Sequence, residues 1–86
     1  MPNKNYVKGR RKEYKIVNEY RALGFDIVQR TAGSHSPIDI LAINKKARKI
    51  VLIQAKPDDY SIMATARIYM DNFELQGKFD VEFMVI

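Results

Sequence analysis

Hydrophobic residues recur along the chain with two different periods, and the period changes where glycine or proline interrupts it. Residues 6–23 carry apolar side chains at three- and four-residue spacing and stop before Gly24, which predicts a first helix ended by a glycine. The polar residues 45–48 separate two apolar runs and predict a hairpin loop of four residues. Three runs rich in Ile, Leu and Val predict strands, and they span residues 25–30, 38–44 and 49–56.

The remaining third of the chain predicts a helix followed by a strand. Pro57 ends the strand run because it cannot donate to a ladder. Asp59 or Ser61 is a candidate cap for a second helix that runs to about Gln76. Residues 79–86 alternate at first and are wholly apolar at their end, which predicts a last strand.

The predicted order is α-β-β-β-α-β, which is typical of an α/β domain with a mixed central sheet flanked by helices. The 86 residues suffice for one domain, residues 1–86. The absence of cysteine excludes disulfides, thiolate metal sites and cysteine nucleophiles. No apolar run is long enough to span a bilayer and no signal-peptide core is present, so we expect a soluble cytoplasmic protein.

Charge is divided unevenly along the chain. Residues 1–56 carry thirteen Lys and Arg against four acids, a net charge of +9, whereas residues 57–86 have a net charge of −4. A basic region on so small a domain favours a polyanionic partner, most often nucleic acid. The alternative is a solvated surface whose charge serves solubility alone.

Glu13 is a polar residue where the pattern calls for an apolar one. On a helical wheel it lies at the centre of the stripe formed by Ile16, Val17 and Tyr20. A carboxylate that faces the core is costly unless it is paired, bound to a metal or beside water. Alternatively, the first turn frays and Glu13 only complements the helix dipole.

The hairpin brings three more polar residues together. If Asn44 pairs with Lys49 across the loop, Asp39 stands opposite Gln54 with Cβ atoms about 5 Å apart. Lys56 lies two residues beyond Gln54 and points to the same face. A slip of one residue in the register would separate the three side chains.

This combination is suited to a hard divalent cation. The Asp39 carboxylate, the Gln54 side-chain oxygen and the backbone carbonyl of Ala55 are oxygen ligands of the kind that Mg²⁺ or Mn²⁺ prefers. Lys56 would then orient or deprotonate a water, or stabilise a pentavalent phosphate. The alternative is a salt bridge between Asp39 and Lys56 at a strand end.

Three motifs resemble those of a known superfamily: Gly9-x-x-x-Glu13 in the first helix, AGSHSPIDI at residues 32–40 and LIQAK at residues 52–56. In this order the chain resembles the PD-(D/E)XK nucleases, and is most similar to the archaeal Holliday junction resolvases. The resemblance covers residues 8 to about 58 and implies a restriction-endonuclease-like core.

The resemblance also implies roles for single residues. Asp39 and Gln54 match the metal ligands, Lys56 the catalytic lysine and Glu13 the helix acid, which completes the metal environment directly or through water. Ser34 matches a serine that supports the active site or the DNA backbone. Gln54 departs from the usual glutamate, so the site has one negative charge fewer and we expect weaker metal binding.

The implied function is a Mg²⁺- or Mn²⁺-dependent, structure-selective DNA endonuclease that hydrolyses phosphodiester bonds in branched DNA, such as a four-way junction, as a homodimer. Two alternatives stay open: a decayed nuclease that binds DNA without cutting it, and an interaction subunit. Apolar residues of the second helix, Tyr60, Met63, Tyr69, Met70 and Phe73, are candidates for core or dimer interface. Candidate DNA contacts are Arg10, Arg11, Lys12, Lys15, Arg30, Ser34, His35, Ser36, Lys45, Lys46, Arg48 and Lys49.

Overall fold

The computed structural model describes residues 4–31 and 36–86 and shows an α/β fold. A long helix precedes a three-stranded antiparallel sheet in the order β1-β2-β3, and a shorter helix follows it. No helix of the described residues has the length and apolar character needed to cross a membrane. The elements are α1 (Lys4–Ala22), β1 (Ile27–Arg30), β2 (Ile40–Asn44), β3 (Lys49–Ile53), α2 (Ile62–Asp71) and a 3₁₀ turn (Phe73–Leu75).

The predicted glycine end of the first helix is confirmed. Gly24 has φ = 94°, a left-handed conformation that glycine adopts without a Cβ clash. Its N–H donates to the Arg21 carbonyl at 3.0 Å, and the Phe25 N–H donates to the Tyr20 carbonyl at 3.2 Å. These two bonds form a Schellman motif, and the Phe25 ring packs edge-on against Tyr20 with centroids 5.1 Å apart. The motif directs the chain from α1 into β1.

The hairpin has the predicted register. Asn44 pairs with Lys49, and the ladder continues to Ile40 opposite Ile53. The Asn44 side chain accepts a hydrogen bond from the Ala47 N–H at 3.0 Å, which closes the turn at residues 45–48. Arg48 completes the turn in the left-handed region, at φ = 58°.

The core lies between α1 and one face of the sheet. Val17 of α1, Val28 of β1, and Ile40 and Ala42 of β2 are its buried residues. Because Val28 pairs with Ala42 and side chains alternate along a strand, Ile40 and Ala42 face α1 together. The central strand is therefore the best protected element of the molecule.

Two details of the predicted architecture are wrong. The sheet is antiparallel throughout its three strands, not mixed. The second helix is capped by Ser61, as predicted, but it ends at Asp71 instead of about Gln76. Asn72 ends it, because both its side-chain amide and its backbone N–H donate to the Ile68 carbonyl, at 2.8 and 3.1 Å.

The predicted last strand is also wrong. Residues 79–86 have no regular secondary structure, since no strand of the described chain lies beside them to complete a ladder. Their apolar side chains are exposed, and so are those of α2, which has no buried residue. Of the two roles predicted for the apolar residues of α2, core or dimer interface, the core role is therefore wrong.

Candidate metal and nucleic-acid site

Asp39 directly precedes the ladder and departs from its register, because its N–H bonds to the residue that pairs with Ile40. Its N–H donates to the Ile53 carbonyl at 2.8 Å, and its own carbonyl accepts from the Thr31 N–H at 2.9 Å. The backbone of Asp39 is thus held by the chain on both sides of it, although Asp39 lies outside β2. The ladder does not pair Asp39 with Gln54, as the sequence predicted, but Gln54 lies between Ile53 and Ala55, the two residues whose backbone groups bond to Asp39.

The Asp39 carboxylate is held in place by the backbone of the neighbouring strand. Its Oδ2 accepts a hydrogen bond from the Ala55 N–H at 2.8 Å. Ala55 was predicted to contribute its carbonyl to a metal ion, and the structure shows that it also orients the acid through its N–H. A charge-assisted bond of this kind fixes the carboxylate beside Gln54.

Gln54 has the least satisfied polar group of the site. Its side-chain oxygen Oε1 is buried from solvent, and no described residue donates a hydrogen bond to it. An unsatisfied buried oxygen costs roughly 1–3 kcal/mol. A cation that also binds the adjacent Asp39 carboxylate would remove that cost, so the two oxygens fit the predicted divalent ion.

Lys56 is held by an aromatic ring and not by the acid. Its Nζ lies 5.4 Å from the centre of the Tyr60 ring, a cation–π contact. No ion pair joins Asp39 to Lys56, so the strand-end salt bridge that was the alternative does not form. Gln54 and Lys56 both line an open groove of about 1130 Å³ between β3, α2 and residues 75–81.

Lys12 attaches α1 to the chain that leaves β3. Its Nζ donates to the Lys56 carbonyl and, at 2.8 Å, to Oδ1 of Asp58. The hydrogen bond and the charge of Lys12 lower the pKa of Asp58. Lys12, which the sequence also offered as a candidate DNA contact, fixes the backbone that carries Lys56.

Glu13 is paired with Arg30. Its Oε1 accepts from Arg30 Nε at 2.9 Å, and the guanidinium lies 4.6 Å from the centre of the Tyr14 ring. The hydrogen bond to Glu13 raises the pKa of Arg30. Glu13 lies well inside α1, so the frayed-turn alternative is wrong, and pairing offsets the cost of a carboxylate on the apolar stripe.

The structure does not bring Glu13 to the Asp39 carboxylate. Glu13 bonds to Arg30, which pairs with Ile40, whereas the Asp39 carboxylate bonds to the Ala55 N–H. Within the described part of the chain, no three His, Cys, Asp or Glu side chains converge. The oxygens available to bind a cation are therefore those of Asp39, Gln54 and the backbone.

The other predicted DNA contacts are distributed over two surfaces. Arg10, Arg11 and Lys15 are exposed on α1, and the hairpin turn exposes its basic residues. Ser36 accepts a hydrogen bond from the Ile38 N–H at 3.1 Å, which shapes the chain before Asp39. Ser34 and His35 lie outside the residues that the structure describes. The exposed residues of the turn are Lys45, Lys46, Arg48 and Lys49.

Three contacts of the site were not predicted from the sequence. They are the bond from Lys12 to the Lys56 carbonyl, the stacking of Lys56 on Tyr60, and a hydrogen bond from the Thr31 hydroxyl to the Ile38 carbonyl. The first joins parts of the chain whose proximity depends on tertiary packing, whereas the other two join residues that are near in sequence. Only Tyr60 had a local signal, as an aromatic residue four positions after Lys56.

The chain was compared with protein-family models, with curated proteins and with solved structures, and none of them matches it.

Proposed function

We propose that this protein is a divalent-cation-dependent DNA endonuclease of the PD-(D/E)XK type that acts on branched DNA. The observation that carries the proposal is the buried Gln54 Oε1, which has no described donor and lies between the two residues that bond to Asp39, Ile53 and Ala55. Two further observations support it: Lys56 lines the same groove as Gln54, and residues 1–56 have a net charge of +9.

Asp39 and Gln54 would hold Mg²⁺ or Mn²⁺, and the bound ion would activate water and stabilise charge on a phosphodiester. The protein's own contribution is positioning. The Ala55 N–H orients the Asp39 carboxylate, and Lys12 holds the backbone at Lys56. The Lys56 ammonium, which contacts the ring of Tyr60, would attract a phosphate oxygen in the groove.

The experiment is cleavage of labelled four-way junction, flap and duplex DNA with Mg²⁺, Mn²⁺ or EDTA. We expect metal-dependent nicking that Asp39→Asn abolishes while DNA binding is retained. Asp26→Asn is the matched control, because Oδ2 of Asp26 also accepts a backbone N–H bond, from Lys45 at 2.7 Å, away from the site. Equal cutting by both variants would overturn the assignment of Asp39.

A second candidate is a nuclease fold that binds branched DNA without cutting it. It is favoured by the amide at Gln54, which carries no charge, and by the engagement of Glu13 with Arg30. Salt-dependent DNA binding with no cleavage under any metal condition would establish this candidate in place of the first. Absence of both cation binding and DNA binding would leave only an interaction subunit.

A further inference from the structure

Glu13 and Arg30 were each predicted to bind a different ligand, yet the structure pairs them with each other. Glu13 matches a metal-site acid, and Arg30 was a candidate contact to a DNA phosphate. Glu13 Oε1 and Arg30 Nε are 2.9 Å apart. While this ion pair is formed, the carboxylate cannot fully bind a metal ion and the guanidinium cannot fully bind a phosphate. The pair is only partly buried, with about 30% of the Arg30 side chain and 22% of the Glu13 side chain exposed, so ligands can reach it.

The pair lies next to the candidate cation site. Arg30 pairs with Ile40, and the following position joins Thr31 to Asp39 through a 2.9 Å hydrogen bond. One ladder position corresponds to roughly 3.3 Å along the strands. The backbones of Arg30 and Asp39 are therefore neighbours, and in the arrangement proposed below a Glu13 carboxylate released from Arg30 acts on a cation at Asp39 through an intervening water.

We infer that Arg30 acts as a latch on Glu13: the ion pair opens when a DNA phosphate binds Arg30, and the released Glu13 favours a divalent cation. The DNA phosphate and the cation thereby promote each other's binding. The inference rests on the proposed function. A guanidinium forms the same forked hydrogen bonds with phosphate as with carboxylate, so Arg30 exchanges one anion for another. Glu13 is then left without a counter-charge, and a cation near Asp39 replaces it.

Tyr14 makes this exchange of partners feasible. Its ring contacts the face of the Arg30 guanidinium, at 4.6 Å from ring centre to Cζ, whereas hydrogen bonds to Glu13 or phosphate use the edge. The Tyr14 ring can hold Arg30 in place while the edge of the guanidinium exchanges the Glu13 carboxylate for a phosphate. Because binding linkage is reciprocal, the cation must strengthen DNA binding by the same factor by which DNA strengthens cation binding.

The test measures affinity for a labelled four-way junction by fluorescence anisotropy, with and without Ca²⁺, at constant ionic strength. We expect Ca²⁺ to tighten binding by the wild-type protein about 5- to 10-fold. Arg30→Met should lose this dependence, whereas Arg21→Met should keep it. Arg21 is the matched control because it loses the same charge, and its Nη2 donates only a 3.4 Å bond to the Val28 carbonyl.

A second pair of variants tests the latch by changing Glu13 instead of Arg30, which does not leave a carboxylate unpaired. Glu13→Gln frees Arg30, so it should bind the junction more tightly than wild type when no cation is present. Glu19→Gln, which changes an exposed acid of the same helix, should show only the smaller effect of one charge removed. Equal affinities of the two variants would overturn the latch.

Calorimetry with Ca²⁺ separates failure of the latch from failure of the proposed function. Cation binding that depends on Asp39 but is the same in wild type and Arg30→Met would contradict the latch and leave the cation site intact. Tighter binding of Ca²⁺ by Arg30→Met in the absence of DNA would support it. Absence of cation binding in every variant would overturn the cation site and the latch together.

Discussion

Residues 4–56 and residues 57–86 contain comparable apolar segments, but only the first region buries them. The four hydrophobic residues whose burial the structure describes, Val17, Val28, Ile40 and Ala42, all lie in the first region. In the second, Ile62 is 88% exposed and Phe83 is 92% exposed. Both regions have an amphipathic helix, yet α1 packs on β1 and β2 whereas α2 has no buried residue.

This difference shows what an apolar stripe can and cannot specify. The stripe of α1 is covered because the Schellman motif at Gly24 turns β1 back along the helix. The chain between β3 and α2 contains Pro57 and no comparable motif, and an open groove separates β3 from the second region. The candidate cation site lies in the first region, where the sheet fixes its residues.

The largest expected effect compares one buried and one exposed isoleucine. Ile40→Ala removes a fully buried side chain from the central strand, so we expect the free energy of unfolding to fall by about 3 kcal/mol. Ile62→Ala should change it by less than about 0.5 kcal/mol. Urea denaturation followed by circular dichroism measures both. A loss at Ile62 as large as that at Ile40 would show that the two regions are equally packed.

A smaller effect compares two glycines with positive φ. Gly24 has φ = 94° and Gly77 has φ = 110°, and a Cβ at either position would meet no atom within 4 Å. Substitution by alanine therefore adds only backbone strain. Gly24→Ala should lower the free energy of unfolding by about 1 kcal/mol, because it disrupts the connection between α1 and β1. Gly77→Ala should have almost no effect on global unfolding, because little packing depends on its conformation.

The smallest effect concerns the ion pair that joins the two regions, Lys12 to Asp58. The folded-state pKa of Asp58 is lowered, chiefly by the hydrogen bond from Lys12. A carboxyl group whose pKa is lowered by folding stabilises the protein at pH values above its unfolded-state pKa, about 3.9. This stabilisation disappears as the pH falls through the folded-state pKa. Carboxyl NMR titration should show a lower pKa for Asp58 in wild type than in Lys12→Met. Because Asp58 is fully exposed, high salt should reduce the difference.

Local sequence rules predict much of the structure of the first region and part of the candidate site. The four-residue loop and strand alternation were enough to predict Asn44 opposite Lys49, but the predicted pairing of Asp39 with Gln54 fails because the Asp39 N–H bonds to Ile53 instead. The pairing of Glu13 with Arg30 could not be predicted, since it depends on how α1 packs on β1. The unpaired residues 79–86 show the same limitation, because alternation indicates a strand tendency but cannot supply a neighbouring strand.

The most direct test of the cation site is calorimetric titration of Mn²⁺ into wild type, Gln54→Glu and Gln29→Glu. Both variants add one negative charge to the sheet, but only Gln54 has a buried, unsatisfied oxygen, whereas Gln29 is exposed on β1. We predict that Gln54→Glu tightens Mn²⁺ binding about tenfold or more, as a charged ligand replaces a neutral one, and that Gln29→Glu leaves it nearly unchanged. Equal affinities for the three proteins, or no Mn²⁺ binding by any of them, would contradict a cation site at Asp39 and Gln54.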